Sequence, residues 1–224
     1  MVVCDKNEVL RYLGYNGQEI SDTISEMIDK TSAEAEKAVT PRYCAVESPI
    51  SRSADGIRVN SCGMLLCGSD IAEHLKGCES VILFAASIGA DIERRIRIYE
   101  AQDLTRAIIM DCCGSSLIES YCDLVCGSIA ERLTERGLFP TSRFSPGYGD
   151  LPLTLQPGIC AALDAQRRLG VTVTESLLLN PAKTVTAVIG LADAPQMARI
   201  RGCAYCALRQ TCALRKGGTS CATG

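Results

Sequence analysis

The stretch Arg143-Phe144-Ser145-Pro146-Gly147-Tyr148-Gly149-Asp150 joins a guanidinium, a bent glycine-rich backbone and an aromatic ring between regular elements. Loops of this make-up, carried on a rigid scaffold, grip small polar ligands. Arg143 offers a planar five-donor fork that fits a carboxylate or a phosphate, and Tyr148 offers a π face and a hydroxyl. Pro146 fixes its own φ and pushes Ser145 toward an extended conformation, while Gly147 and Gly149 admit φ values that other residues avoid. The loop is therefore expected to be stiff and shaped. Taken alone, these residues fit either a ligand-binding loop or a surface turn with an incidental arginine.

A second group of chemistry-bearing residues lies near the carboxyl end. Cys203, Cys206 and Cys212 stand in a C-x2-C-x5-C pattern, and Cys221 follows nine residues later. A C-x2-C pair is a chelate for zinc or an iron-sulfur cluster, because the intervening residues turn both sulfurs toward one ion. The spacing predicts that Cys203, Cys206, Cys212 and Cys221 ligate one centre. A structural or redox dithiol is the competing reading.

The chain holds 14 cysteines. Met1-Val2-Val3-Cys4 leads directly into charged residues, so no export signal is expected. The protein is expected in the cytoplasm, where thiols stay reduced, and not as a disulfide scaffold. Cys112, Cys113, Cys122 and Cys126 fall on a predicted helix among Ala, Gly and Ser, where a thiol acts as a small hydrophobe. Cys62 and Cys67 flank an extended stretch and read as packing residues. His74 is the single histidine, which excludes His-based triads and His-rich metal sites, and it is expected as a solvated helix residue.

The elements that must hold these groups follow from caps and periodicity. Asp5 and Glu8 form a capping-box signal for a short helix that Gly14 ends. Ile20, Ile24, Met27, Ile28, Ala35 and Val39 recur at helical spacing until Pro41. Residues 43–67 read as short strands in a hairpin or meander around Asp55-Gly56, and helix returns at Ser69. Residues 79–87 read as a buried strand, and 88–101 as an amphipathic helix with Arg94, Arg95 and Arg97 outward. Asp103 can cap the longest helix, with Leu104, Ile108, Ile118, Tyr121, Val125, Ile129 and Leu133 as its inner stripe, Gly114 as a kink and Gly137 as its end. A helix near 158–168 and strands at 171–178 and 184–191 complete the pass.

Strands in runs with segregated helices imply an α+β fold with a mixed or antiparallel sheet. The division expected is a domain over 1–195 and a Cys-rich tail over 196–224. With 47% hydrophobic residues, 22% charged and a net charge of -3, the chain reads as an ordinary globular protein with no basic face for nucleic acid. Its longest apolar run, 81–90, is too short for a bilayer. Neither a dinucleotide fingerprint nor a P-loop is present.

The order Arg-x-x-x-Gly-Tyr, helix, Thr172-Val173-Thr174-Glu175-Ser176, then Pro181-Ala182-Lys183-Thr184-Val185-Thr186 resembles the reactivation domain of cobalamin-dependent methionine synthase. Glu8-Val9-Leu10-Arg11-Tyr12-Leu13-Gly14-Tyr15, Ser69-Asp70-Ile71-Ala72-Glu73-His74-Leu75 and Ala85-Ala86-Ser87-Ile88-Gly89 are similar to free-standing bacterial relatives of it. The resemblance covers residues 5–191. It implies a domain that presents S-adenosylmethionine to a cobalamin oxidised to cob(II), where a methyl group and an electron together restore methylcobalamin.

On this resemblance Arg143 holds the ligand carboxylate, and backbone groups of Ser145, Gly147 and Tyr148 line its other side. Tyr148 faces the sulfonium, a cation–π contact worth about 0.5 to 2 kcal/mol. Glu119 and Glu175 are candidates for the amino group or the positive charge, with ordinary solvated glutamates as the alternative. An aspartate near the amino end and a tyrosine beyond the last strand, both ligand contacts in the fused domain, have no clear counterpart here. The chain carries no corrinoid-binding Asp-x-His-x-x-Gly pattern, so cobalamin belongs to a partner, methionine synthase or another corrinoid protein. A flavodoxin or ferredoxin is the kind of electron donor implied, and an iron-sulfur tail would serve the same need. A scaffold module with a structural metal, or an iron-sulfur electron donor to a corrinoid protein, is the alternative function.

Overall fold

Capping chemistry decides where the helices begin. In the computed structural model, which describes residues 2–15 and 17–195, Asp5 accepts from the N–H groups of Asn7 and Glu8 and opens α1 (Lys6–Tyr12). Glu8 does not complete the expected box. It pairs with Arg11, and the Asp5 N–H donates instead to Ser116 Oγ at 3.0 Å, far along the chain. Ser21 accepts from the Ile24 N–H to open α2 (Asp22–Ala38), whose Ile28, Thr31, Ala35 and Ala38 are buried along one stripe. Then come β1 (Arg42–Ser53), β2 (Gly56–Val59), β3 (Leu65–Leu66), α3 (Ser69–His74) and β4 (Cys78–Ser87). Helix α4 (Asp91–Glu100) precedes α5 (Leu104–Thr134), which Asp103 caps by accepting from the Arg106 N–H at 3.1 Å. The chain closes through β5 (Phe139–Pro140), α6 (Gln156–Ala162), α7 (Ala165–Leu169), the small hairpin β6 (Thr172–Val173) and β7 (Leu179–Asn180), and β8 (Thr184–Ala192).

Six strands form one sheet in the order β3-β2-β1-β4-β8-β5, with every ladder antiparallel. Side chains alternate along its central strands, and each face carries its own core. Ile82, Phe84, Ala86, Ala187, Ile189 and Leu191 meet α1, α2, α4 and α5 through Val9, Ile28, Ile92 and Leu117. Val81, Leu83, Ala85 and Val188 meet α3, α6 and α7 through Ile71, Ile159 and Leu169, together with Phe144 and Leu151. The expected α+β class is the fold observed, with α2, α4, α5 and the short α1 on one face and the short α3, α6 and α7 on the other. Among the described residues no helix is long and apolar enough to cross a membrane.

Local expectations fail where tertiary contacts override periodicity. Leu104 and Ile108 are 64% and 50% exposed, and the first turns of α5 bury Ala107, Met110, Cys113 and Leu117 instead. Gly114 has a packing reason: a Cβ there would meet Ile92 Cγ2 at 2.8 Å and Lys183 Cε at 3.0 Å, so glycine admits α4 at close range. Cys112, Cys113 and Cys122 are buried as packing residues, whereas Cys62 and Cys67 are exposed and do not pack as expected. Arg95 turns inward and pairs with Glu34. The helix expected over 158–168 is broken at Asp164, whose φ is 51°. The strand expected over 171–178 shrinks to β6, because Thr174 and Leu178 close a turn with a 2.8 Å backbone bond.

Candidate functional site

Beyond β5 the chain stays extended along β8. The Phe144 N–H donates to Val188 O at 2.9 Å, and the Val188 N–H donates back to Phe144 O at 2.8 Å. This bridge fixes which way neighbouring side chains point. Phe144 enters the short-helix core, and Arg143 beside it faces α5. There Arg143 Nη2 donates to Glu119 Oε2 at 2.8 Å and to Asp123 Oδ1 at 2.9 Å. The two carboxylates stand four residues apart on one helix face, where side chains at that spacing are neighbours.

The guanidinium is only partly satisfied. Its Nη1 is buried with no hydrogen-bond partner among the described residues, while Glu119 and Asp123 are 47% and 76% exposed. Ion pairs with such exposed carboxylates contribute about 0 to 1 kcal/mol each, and an unpaired buried donor costs about 1 to 3 kcal/mol. A donor nitrogen of the guanidinium is therefore left without an acceptor. A cavity of about 130 Å³ adjoins it, bordered by Asp123, Cys126, Thr141, Ser142 and Ile189. Small-molecule pockets usually reach about 300 to 1,000 Å³, so this cavity is smaller than a whole small-molecule site.

The rest of the loop packs on the other face. Gly147 N–H donates to Leu151 O at 2.8 Å, Tyr148 N–H to Ser145 O at 3.0 Å, and Leu151 N–H to Tyr148 O at 3.1 Å. The loop is stiff, as its residues predict, but the N–H groups of Gly147 and Tyr148 are used within it. The half-buried Tyr148 ring meets Phe144 edge-on with centroids 5.4 Å apart. Gly149, at φ 54°, lies so close to α3 that a Cβ would meet Asp70 Oδ2 at 2.7 Å.

Asp150 supplies what α3 lacks. The helix starts behind Gly68 with no side-chain cap of its own, and Asp150 accepts from Ser69 Oγ at 3.0 Å, Asp70 N–H at 2.9 Å and Ile71 N–H at 3.4 Å. Partial burial works to raise its carboxyl, but these donors outweigh it and hold the group below the usual aspartate range. His74 is 7% exposed, not solvated as expected. Its Nε2 lies 2.9 Å from Thr141 Oγ1 and 3.0 Å from Ser142 O, and its ring is 4.8 Å from Phe144. Burial lowers its pKa, against the bond to Ser142.

The structure thus brings Arg143 and Glu119 together and adds Asp123, which the four-residue spacing on a predicted helix could have revealed. Ser145, Gly147 and Tyr148 sit in the loop beyond the bridge, and Glu175 is exposed in the turn between β6 and β7. Cys203, Cys206, Cys212 and Cys221 lie outside the described residues. Among those described, no group of three or more His, Cys, Asp or Glu is placed to hold a metal ion.

Among solved structures, the chain is similar to the crystal structure of the MetH reactivation domain bound to AdoHcy. The TM-score is 0.64 at 19% sequence identity, over 87% of this chain and 76% of that one. At such identity the likeness shows a shared fold. No family model matches the sequence, and no curated protein does.

Proposed function

We propose that this chain binds S-adenosylmethionine with its amino-acid end at Arg143 and acts in the cytoplasm as an accessory reactivation protein for a separate cobalamin-dependent methionine synthase. The observation that carries this reading is the Arg143 guanidinium, with its buried Nη1 unpaired among the described residues and two carboxylates gathered at Nη2. A zwitterionic amino-acid group needs donors for its carboxylate and acceptors for its ammonium within a few ångströms. Arg143 offers the first, and Glu119 with Asp123 the second. The small cavity suits that end of the ligand alone. The fold likeness to a domain crystallised with AdoHcy supports the same ligand class.

Ser145, Gly147 and Tyr148 are assigned to the remainder of the ligand, with Tyr148 facing its sulfonium, and Glu175 is assigned as a more remote carboxylate. Bound S-adenosylmethionine supplies the methyl group, and cob(II)alamin on the partner also requires one electron, from a flavodoxin or ferredoxin or from the chain's own tail. We assign Cys203, Cys206, Cys212 and Cys221 to one zinc or iron-sulfur centre. Anaerobically purified protein should then be brown with visible absorption, or colourless with zinc found by elemental analysis. Neither metal, with unchanged stability in a Cys203→Ser and Cys206→Ser double variant, would leave them as ordinary thiols.

The test of the function uses a methionine synthase that lacks its own reactivation domain. With reductant and S-adenosylmethionine present, methylcobalamin should form faster when this protein is added. Equal rates with and without it would exclude a reactivation role.

A further inference from the structure

A second concavity lies away from Arg143, along an edge of the sheet. β1 pairs with β4 over residues 42–49, but β2 covers only its last third, from Ile50 to Ser53. Over residues 43–47 no strand among those described occupies the other side. The direction of the backbone there is fixed by one bond, the Asn60 N–H donating to Pro49 O at 3.0 Å. Pro49 therefore aims its carbonyl away from β4, and by the two-residue period Tyr43, Ala45 and Glu47 aim their N–H and C=O groups the same way. Proteins commonly blunt such edges with proline, lysine or a covering loop. Here Pro49 guards only the far end.

The open edge forms the floor of a groove of about 660 Å³, walled by Ile129, Arg132 and Leu133 of α5 on one side and by Arg168 of α7 on the other. Arg136, also in the wall, is neutralised by a two-pronged pair with Glu47 at 2.8 and 2.9 Å. Arg132 and Arg168 are not. Arg132 donates to Ser128 O and Arg168 to Leu163 O, both backbone groups, and neither has an ion pair among the described residues. Among the described residues, the groove thus joins strand hydrogen-bonding groups without a partner and two positive charges without an ion pair, while Ile129 and Leu133 behind its wall are already buried in the core.

We propose that residues 43–47 receive an extended acidic peptide segment of a partner polypeptide as an added strand, its carboxylates on one face meeting Arg132 and those on the other face meeting Arg168. Strand addition draws affinity from main-chain bonds and selectivity from alternate side-chain sites. Charge decides against two other occupants. The chain's own residues after 195 carry Arg199, Arg201, Arg209, Arg215 and Lys216 with no Asp or Glu, so they repel the groove. A second copy would set Arg132 and Arg168 against their own equivalents.

The test uses the full chain and a fluorescein-labelled synthetic peptide, Thr-Glu-Glu-Val-Glu-Glu-Thr, which carries carboxylates on both faces of a strand, read by anisotropy. Binding should weaken by about tenfold or more in an Arg132→Glu and Arg168→Glu double variant. Ala45→Pro should weaken it similarly with an unchanged thermal melt, since that N–H points away from β4 and an edge strand tolerates proline there. A peptide N-methylated at alternate residues should also bind more weakly. No binding at about millimolar peptide, equal binding of a lysine-for-glutamate peptide, or undiminished binding of the N-methylated one would overturn the proposal. So would a dimer in sedimentation that Ala45→Pro abolishes, because the occupant would then be a second copy.

Discussion

The two faces of the sheet reach burial by different routes. On one, α2 and α5 bring their own caps and a continuous apolar stripe, and the core assembles from elements defined locally. On the other, α3, α6 and α7 are short, and loop residues hold them: Phe144 fills their core, Asp150 caps α3, and the Thr141 hydroxyl and the Ser142 carbonyl engage His74. Residues 143 and 144 belong to different faces although they are adjacent. The lesson is that one bridged strand edge gives a hydrophobic anchor to one layer and a cation to the other, so the cation is placed as firmly as the core residue beside it.

The strongest challenge to this comparison is truncation of each core. Phe84 and Phe144 are both fully buried, one per face, and Phe84→Ala or Phe144→Ala should each lower stability by about 3 to 5 kcal/mol in urea melts. A Phe144→Ala cost well under 1 kcal/mol would show that the short-helix face is not a true core. Asp150→Ala should cost about 0.5 to 2 kcal/mol, as for loss of a helix cap, and should speed hydrogen exchange in α3 before any other helix. Uniform exchange with no loss of stability would remove Asp150 from that role.

A smaller effect distinguishes the faces by pH. The folded state holds His74 with a lowered pKa, so it binds fewer protons than the unfolded chain below about pH 6.5. The stability that His74 contributes is complete above that pH and is lost as the pH falls toward the folded value. His74→Gln should flatten the part of the stability profile just below pH 6.5 and leave α5 exchange unchanged. An unaltered profile would contradict the burial of this ring.

What the sequence makes legible is what local chemistry determines. Asp5, Ser21 and Asp103 announce their helices, and the β-branched and aromatic run of β4 announces a central strand. The stiffness of the 143–150 loop is equally readable from Pro146 and its glycines. What escapes depends on partners far along the chain. Asp150 caps a helix whose first N–H groups lie 80 residues earlier, a pairing no window along the sequence contains. His74 is expected outside because its helix is only six residues long, too short to show a buried stripe. The divergence of Arg143 from Tyr148 depends on the register of Phe144 against Val188, which the loop itself does not encode. Leu104 and Ile108 mislead for the opposite reason: their spacing is helical, but the packed face is defined by Ala107, Met110 and the contact of Gly114 with Ile92.

The account rests most heavily on Arg143 as the place where a ligand's carboxylate docks, and titration calorimetry with S-adenosylmethionine addresses it directly. Wild-type protein should bind. Arg143→Ala should abolish measurable binding while changing stability by no more than about 1 kcal/mol, because its carboxylate partners are exposed. Arg143→Lys should bind weakly, since a point charge cannot reproduce two parallel hydrogen bonds. Absence of wild-type binding at about millimolar ligand, or an Arg143→Ala variant that binds as tightly as wild type, would contradict the assignment.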